Sequence, residues 1–165
     1  LECTRIDNGV RKPTPAQVRA EAWMAIIHGS RGFIYFVHEF KPKFNEHALL
    51  DDPEMLKAVT ELNREVTRLA PVIQGEAVPV GIAIKEPRDD QQPRPVAAVG
   101  RRSGRDTYVF AVAMRNAPCR AAFALSRART GAVAEVVGES RTIPLVDGRF
   151  EDAFGPHQVH IYRVR

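Results

Sequence analysis

The feature that most limits what this chain can fold into is a change of hydrophobic period near residue 75. Before it, two short apolar runs alternate with two long amphipathic ones. After it, apolar residues recur at every second position to the end of the 165 residues. Strand, helix, strand, helix with short connections is the pattern of a parallel sheet with crossover helices. Period-two alternation broken by turn residues is the pattern of antiparallel strands. Only two strands stand in the first part, and two parallel strands do not make a stable sheet. Their sheet partners are therefore expected N-terminal to Leu1 or in another chain. The fold class is read as α/β followed by all-β, dividing into residues 1–75 and 76–165.

Within the first part, residues 1–6 read as the tail of a strand, followed by a loop through Asp7-Asn8-Gly9-Val10-Arg11-Lys12-Pro13. Thr14 is an N-cap, Pro15 fits the first helical position, and Gln17 completes a T-x-x-Q capping box. Val18, Ala22, Ala25 and Ile26 recur at helical spacing, and Gly29 stops the helix. Phe33-Ile34-Tyr35-Phe36-Val37 is apolar on both faces, as a strand buried in a parallel sheet must be. It runs out into His38-Glu39-Phe40. After a loop to Leu50, Asp51 and Glu54 form a D-x-x-E cap on a second helix. Its stripe is Met55, Val59, Leu62, Val66 and Leu69, and Ala70-Pro71 ends it.

In the second part, Val78, Val80, Ile82 and Ile84 share one face of a strand. Tyr108, Phe110, Val112 and Met114 share another, and so do Cys119, Ala121, Phe123 and Leu125. Residues 86–95 form a polar, Pro-broken loop. Asp147-Gly148 is a tight hairpin signal, and a last strand is expected over 157–164. Seven or eight short strands separated by turns predict an antiparallel β-sandwich.

Composition excludes several function classes. Apolar residues make up 44% and charged residues 27%, the balance of a globular chain rather than a disordered one. No apolar run approaches the ~20 residues that span a membrane, so no membrane partner is expected. The net charge of +4 comes from scattered Arg, densest at Arg101-Arg102-Ser103-Gly104-Arg105 on a turn. A nucleic-acid binder would carry a basic stripe along one element; a solvated Arg-rich surface and no nucleic acid is the reading here. Cys3 and Cys119 lack a CxxC and read as buried thiols. His38, Glu39, Glu46 and His47 match no zinc or iron spacing, and neither a Walker A nor a Rossmann fingerprint is present. No metal or cofactor is expected.

Several stretches carry a family resemblance. The run Thr14 to Gly29, followed by Arg31-Gly32-Phe33-Ile34-Tyr35-Phe36, resembles the closing units of (β/α)8-barrel glycoside hydrolases of the large α/β-barrel clan. Leu62-Asn63 and Leu69-Ala70-Pro71-Val72-Ile73 resemble the last barrel helix leading into a C-terminal domain. Phe150-Glu151-Asp152-Ala153-Phe154 and Val159-His160-Ile161-Tyr162 resemble closing strands of the β domain that follows such barrels. The resemblance implies the last two βα units of a (β/α)8 barrel plus a C-terminal antiparallel β-sandwich. It implies a carbohydrate substrate, the N-terminal remainder of the barrel as partner, and an extracellular or periplasmic setting.

It also assigns residues. Active sites of barrels lie at the C-terminal rim of the strands, and glycosidases need a pair of carboxylates there. By resemblance Glu2 occupies the position of the nucleophile at the end of strand seven; the alternative is a Glu on a strand end with no chemical role. His38, Glu39 and Tyr35, on strand eight, are candidate substrate-binding residues. His38 and Glu39 point to opposite sides of their strand, so one of them faces the barrel mouth. The Trp platform of many relatives is absent after Phe36. The general acid of the clan comes from strand four, which this chain does not contain, so the chain alone is expected to be inactive. A different class of function stays open: a non-catalytic carbohydrate-binding or interaction β domain carrying a barrel remnant. The even placement of Phe110, Phe123, Phe150 and Phe154 on inward positions weighs toward a bracing role instead.

Overall fold

The computed structural model describes residues 1–6, 11–84, 94–126 and 128–165. The start of the first loop (7–10) and most of the polar loop expected at 86–95 lie outside the described residues. The chain divides into two compact units, Leu1–Leu69 and Ala70–Arg165.

Helix α1 of the first unit (Pro15–Ile27) begins at the expected capping box. Gln17 N–H donates to the Thr14 hydroxyl, and the Gln17 side chain accepts from Thr14 N–H at 2.8 Å. Its buried side is Val18, Ala20, Ala22, Trp23 and Ile26. Helix α2 (Pro53–Ile73) buries Met55, Val59, Leu62 and Leu69. Glu65 of α2 ties the two helices, accepting from Arg19 Nη2 at 2.9 Å and from Trp23 Nε1 at 3.2 Å.

Both ends of α2 differ from expectation. Its cap is Asp52, whose carboxylate accepts from Met55 N–H at 3.2 Å, whereas Asp51 accepts from the Asn45 side-chain amide. Pro53 occupies the first helical position, so the cap must be the residue directly before it. The helix also continues through Pro71 to Ile73. A proline φ is helical, and in the last turn its missing N–H costs a single bond.

Residues 1–6 and 33–40 run parallel. Phe36 N–H donates to Leu1 C=O at 2.7 Å and Cys3 N–H to Phe36 C=O at 3.1 Å, forming a parallel bridge between Glu2 and Phe36. The expectation of a strand buried on both faces does not hold in this chain: Ile34 is 87% exposed. An apolar run with one parallel neighbour leaves its other edge and part of its face open to water.

The second unit is antiparallel throughout. Its strands are β1 (Ala77–Val78), β2 (Gly81–Ile84), β3 (Val96–Ser103), β4 (Asp106–Ala113), β5 (Cys119–Ala124), β6 (Val133–Val136), β7 (Arg141–Pro144), β8 (Arg149–Phe154) and β9 (Val159–Val164). They form a six-stranded sheet in the order β1-β3-β4-β9-β6-β7 and a three-stranded sheet in the order β2-β5-β8. One core joins the two sheets. Val109, Ala111, Ala134, Val136 and Tyr162 come from the larger sheet, and Cys119, Ala121, Phe123, Phe150 and Phe154 from the smaller. The rings of Phe123, Phe150 and Tyr162 lie 4.8–5.5 Å apart. Such pairs add about 0.5–1.5 kcal/mol each beyond burial. Strand β4 is buried on both faces, Phe110 and Val112 as completely as Val109 and Ala111.

The alternating run Val78–Val80–Ile82–Ile84 is divided between the sheets. Pro79, which has no N–H for a ladder, stands at the crossing, so β1 pairs with β3 and β2 with β5. Gly100 of β3 lets β1 approach: a Cβ there would meet Val78 O at 2.5 Å and Val80 Cγ2 at 2.6 Å. The Asp147-Gly148 hairpin forms with both residues at positive φ, 49° and 71°, as a type I′ turn requires.

Candidate functional site

In an extended segment successive side chains point to opposite sides, and residues paired in a parallel bridge share a side. Glu2 and Phe36 therefore project together. Ring contacts extend this side along the second segment: Phe36 lies 5.7 Å from His38 and 6.0 Å from Phe40. Phe44 adds to the group, 5.8 Å from His38 and 5.7 Å from Phe40. Phe40 and Phe44 are about half exposed, at 50% and 54%. The result is one surface that carries the exposed Glu2 carboxylate, an imidazole and three phenyl rings.

The other side faces the helices. Phe33 and Tyr35 lie edge to face at 5.4 Å. The Tyr35 hydroxyl donates to Asn63 Oδ1 of α2 at 2.7 Å. Burial, with a contribution from Cys3 nearby, pushes the Tyr35 hydroxyl up to about 12. Cys3 is fully buried, and its thiol is pushed up to about 11, chiefly by burial. It is therefore a protonated packing group at neutral pH. Glu39 is also held on this side. Its Oε1 accepts from Arg5 Nε at 2.9 Å and Nη2 at 2.7 Å. The Thr4 hydroxyl donates to His38 C=O at 2.6 Å, closing the rim between the two segments.

The four sequence candidates thus separate. Glu2 and His38 share one side. Tyr35 and Glu39 share the other, each engaged by a neighbour within the unit. Glu2 and Glu39 do not form a facing carboxylate pair. Arg5 and Thr4, which hold this rim, were not singled out from sequence, and Asn63 stood there only as part of its helix. For Arg5 a signal was present: three residues after Glu2, it falls on the opposite side, where a cation suits Glu39.

Beside the rim lies a polar cleft of about 760 Å³ between Thr4, Arg5, Glu39, Asn45, Asp51 and Asp52. Two ion pairs stand in its wall. Arg5 pairs with Glu39, and Lys12 with Asp52. The hydrogen bond from Lys12 holds the Asp52 carboxyl below the usual range, and the N–H groups of Met55 and Glu54 at the start of α2 act in the same direction. Neutralised pairs of this kind fix the shape of a rim rather than offering a free charge to a ligand. Among the described residues no group of three or more His, Cys, Asp or Glu is arranged to hold a metal.

No family model matches the chain, and no curated protein matches it. Solved structures do. The chain aligns with an α-amylase from Geobacillus thermoleovorans complexed with acarbose at a TM-score of 0.62 and 11% identity, covering 100% of this chain and 38% of that one. An Anoxybacillus α-amylase, described as representing a glycosyl hydrolase subclass, gives 0.59 and 13%, covering 99% and 36%. A glycoside hydrolase family 30 subfamily 8 xylanase from Clostridium acetobutylicum gives 0.52 and 10%, covering 99% and 42%. The chain spans well under half the length of these proteins. Over essentially its whole length it has the fold of part of these glycoside hydrolase structures.

Proposed function

We propose that this chain is the C-terminal part of a glycoside hydrolase acting on O-glycosidic bonds of an oligo- or polysaccharide. In this reading residues 1–75 are the last two βα units of a (β/α)8 barrel, and residues 76–165 are an antiparallel β-sandwich that braces it. The observation that carries the reading is the parallel Glu2–Phe36 bridge, with α1 between the paired segments and α2 after them. The side turned away from the helices, where Glu2 and His38 project, corresponds to the barrel interior. Glu2 serves as nucleophile and His38 binds a sugar hydroxyl. Glu39 and Tyr35, turned to the helix side, hold the rim that positions them. The general acid is supplied by a segment outside these 165 residues. The burial of Phe110, Phe123, Phe150, Phe154 and Tyr162 supports bracing over an aromatic sugar platform in the second unit.

The test uses the protein expressed from its full reading frame. Glu2→Gln is expected to lower kcat on its glycoside substrate at least a thousandfold while leaving substrate binding near the parent value, because only transition-state chemistry is removed. Retention of kcat within tenfold would exclude Glu2 as nucleophile. The 165-residue chain alone is expected to show no turnover, and robust hydrolysis by it would overturn the assignment of the missing acid.

A further inference from the structure

The chain's charge is unevenly divided. Residues 1–69 carry equal numbers of acidic and basic side chains, so the whole net charge of +4 falls in the second unit. Part of it converges on one place. At one end of the six-stranded sheet a pocket of about 230 Å³ is lined by Arg102, Arg105, Arg129 and Arg165 above an apolar floor that includes Leu125 and Val164. That volume is on the scale of a single pyranose ring.

Each arginine is delivered by a separate piece of chain. Arg102 lies in β3 and pairs across the ladder with Thr107 of β4. Arg105 sits in the two-residue turn between Ser103 and Asp106, which Gly104 makes possible with φ 58°. Arg129 comes from the connection after β5, and Arg165 follows β9. Matching acids are few. Arg165 bonds Glu135 at 2.9 Å, and Arg102 lies only within 3.8 Å of a largely exposed Glu76. Asp106, the nearest acid in sequence to Arg105, is taken by Arg163. Arg105 and Arg129 have no acidic partner among the described residues. This pocket therefore offers guanidinium groups that are not already neutralised.

The geometry points to an anion-binding subsite for an acidic saccharide: a uronate carboxylate or a sulfate ester held by Arg105 and Arg129, with its ring over Leu125 and Val164. Planar guanidinium forks match both oxyanions. A polymer that presents several such groups is also drawn in by the field of the whole unit. The inference rests on the carbohydrate reading above and deepens it by naming an anionic substrate class. The pocket lies wholly in the second unit, so its occupancy is measurable without turnover.

The experiment compares the chain with Arg105→Gln/Arg129→Gln by calorimetric titration at fixed low ionic strength. The probes are a polygalacturonate oligomer, a sulfated oligosaccharide, a neutral maltooligosaccharide and a DNA duplex of similar charge. Circular dichroism verifies that the variant is folded; both residues are exposed, and among the described residues neither side chain makes a hydrogen bond. At least a tenfold weaker Kd for an acidic saccharide, with the neutral one unaffected, is the expected result, and whichever acidic probe is favoured identifies carboxylate or sulfate. Equal binding by parent and variant, or binding of the neutral saccharide as tight as that of the acidic ones, overturns the subsite. Tighter binding of the duplex than of either acidic saccharide, lost in the variant, overturns the saccharide assignment. The two proposals fail separately: the subsite is read by binding to the second unit without turnover, whereas the Glu2 assignment is read by kcat alone.

Discussion

Asp152 is the residue on which the second unit's polar interior turns. It is 9% exposed, yet every bond it needs is present. Its carboxylate accepts from Arg141 Nη2 at 2.7 Å and Nη1 at 3.1 Å, from the Tyr162 hydroxyl at 2.9 Å and from Ala153 N–H at 2.9 Å. Burial pushes its pKa up, but these donors, with the His160 ring nearby, outweigh burial and hold the carboxyl below the usual range. Asp152→Ala strands the Tyr162 hydroxyl and part of the Arg141 guanidinium. It is expected to cost about 2–3 kcal/mol in urea unfolding. The pH dependence has a definite sign. A depressed folded-state value means the stabilisation is full above the unfolded value near ~4 and is lost as pH falls through the folded value. Asp152→Asn should therefore flatten the acid limb of a stability–pH curve and leave its shape above pH ~5 unchanged. None of this was legible in sequence. Arg141 and Tyr162 stand 11 and 10 residues away, and no periodicity marks a side chain as the partner of another strand. Tyr35 and Asn63, 28 residues apart, escaped for the same reason.

At the scale of elements, what was local was readable. The Thr14–Gln17 capping box involves an i,i+3 pair, and both of its bonds form as expected. Thr14→Ala should lower stability by about 1 kcal/mol, measured as a shift in urea midpoint at constant m-value. The cap of α2 was displaced by one residue because two adjacent aspartates satisfy the same pattern, and only Pro53 decides between them. The period-two runs located the strands, but not the division of residues 77–84 between two sheets, which depends on where β3 and β5 lie. Gly100 records that division. Val78 O and Val80 Cγ2 would both stand within 2.6 Å of an added methyl group, so Gly100→Ala forces β1 off the sheet. About 1–3 kcal/mol of destabilisation is expected, while Gly104→Ala, which meets nothing within 4 Å, should cost only the strain of its positive φ.

At the scale of the whole molecule, the first unit exposes several large apolar side chains. Ile34, Phe40, Phe44 and Leu50 are each at least half exposed, Phe40 and Phe44 lie side by side at 5.7 Å, and exposed apolar surface drives association. The 165-residue chain is expected to bind a hydrophobic dye and to elute as oligomers in size exclusion. Ile34→Lys should raise the monomer fraction of this chain. Under the barrel reading proposed above, the same change in the full-length protein should impair folding, since the side chain would then sit in a parallel sheet. A monomeric chain that ignores the dye would remove the reason to seek sheet partners elsewhere. The second unit has a mechanical property that follows from residues 77–84. One short run holds the outer strand of both sheets, with only Pro79 and Val80 between them. Tension applied along the chain at residue 77 loads the ladder to β3 and the ladder to β5 in series through that joint. The two-position ladder of β1 to β3 should then yield first and the four-position ladder of β2 to β5 second, as two successive force events.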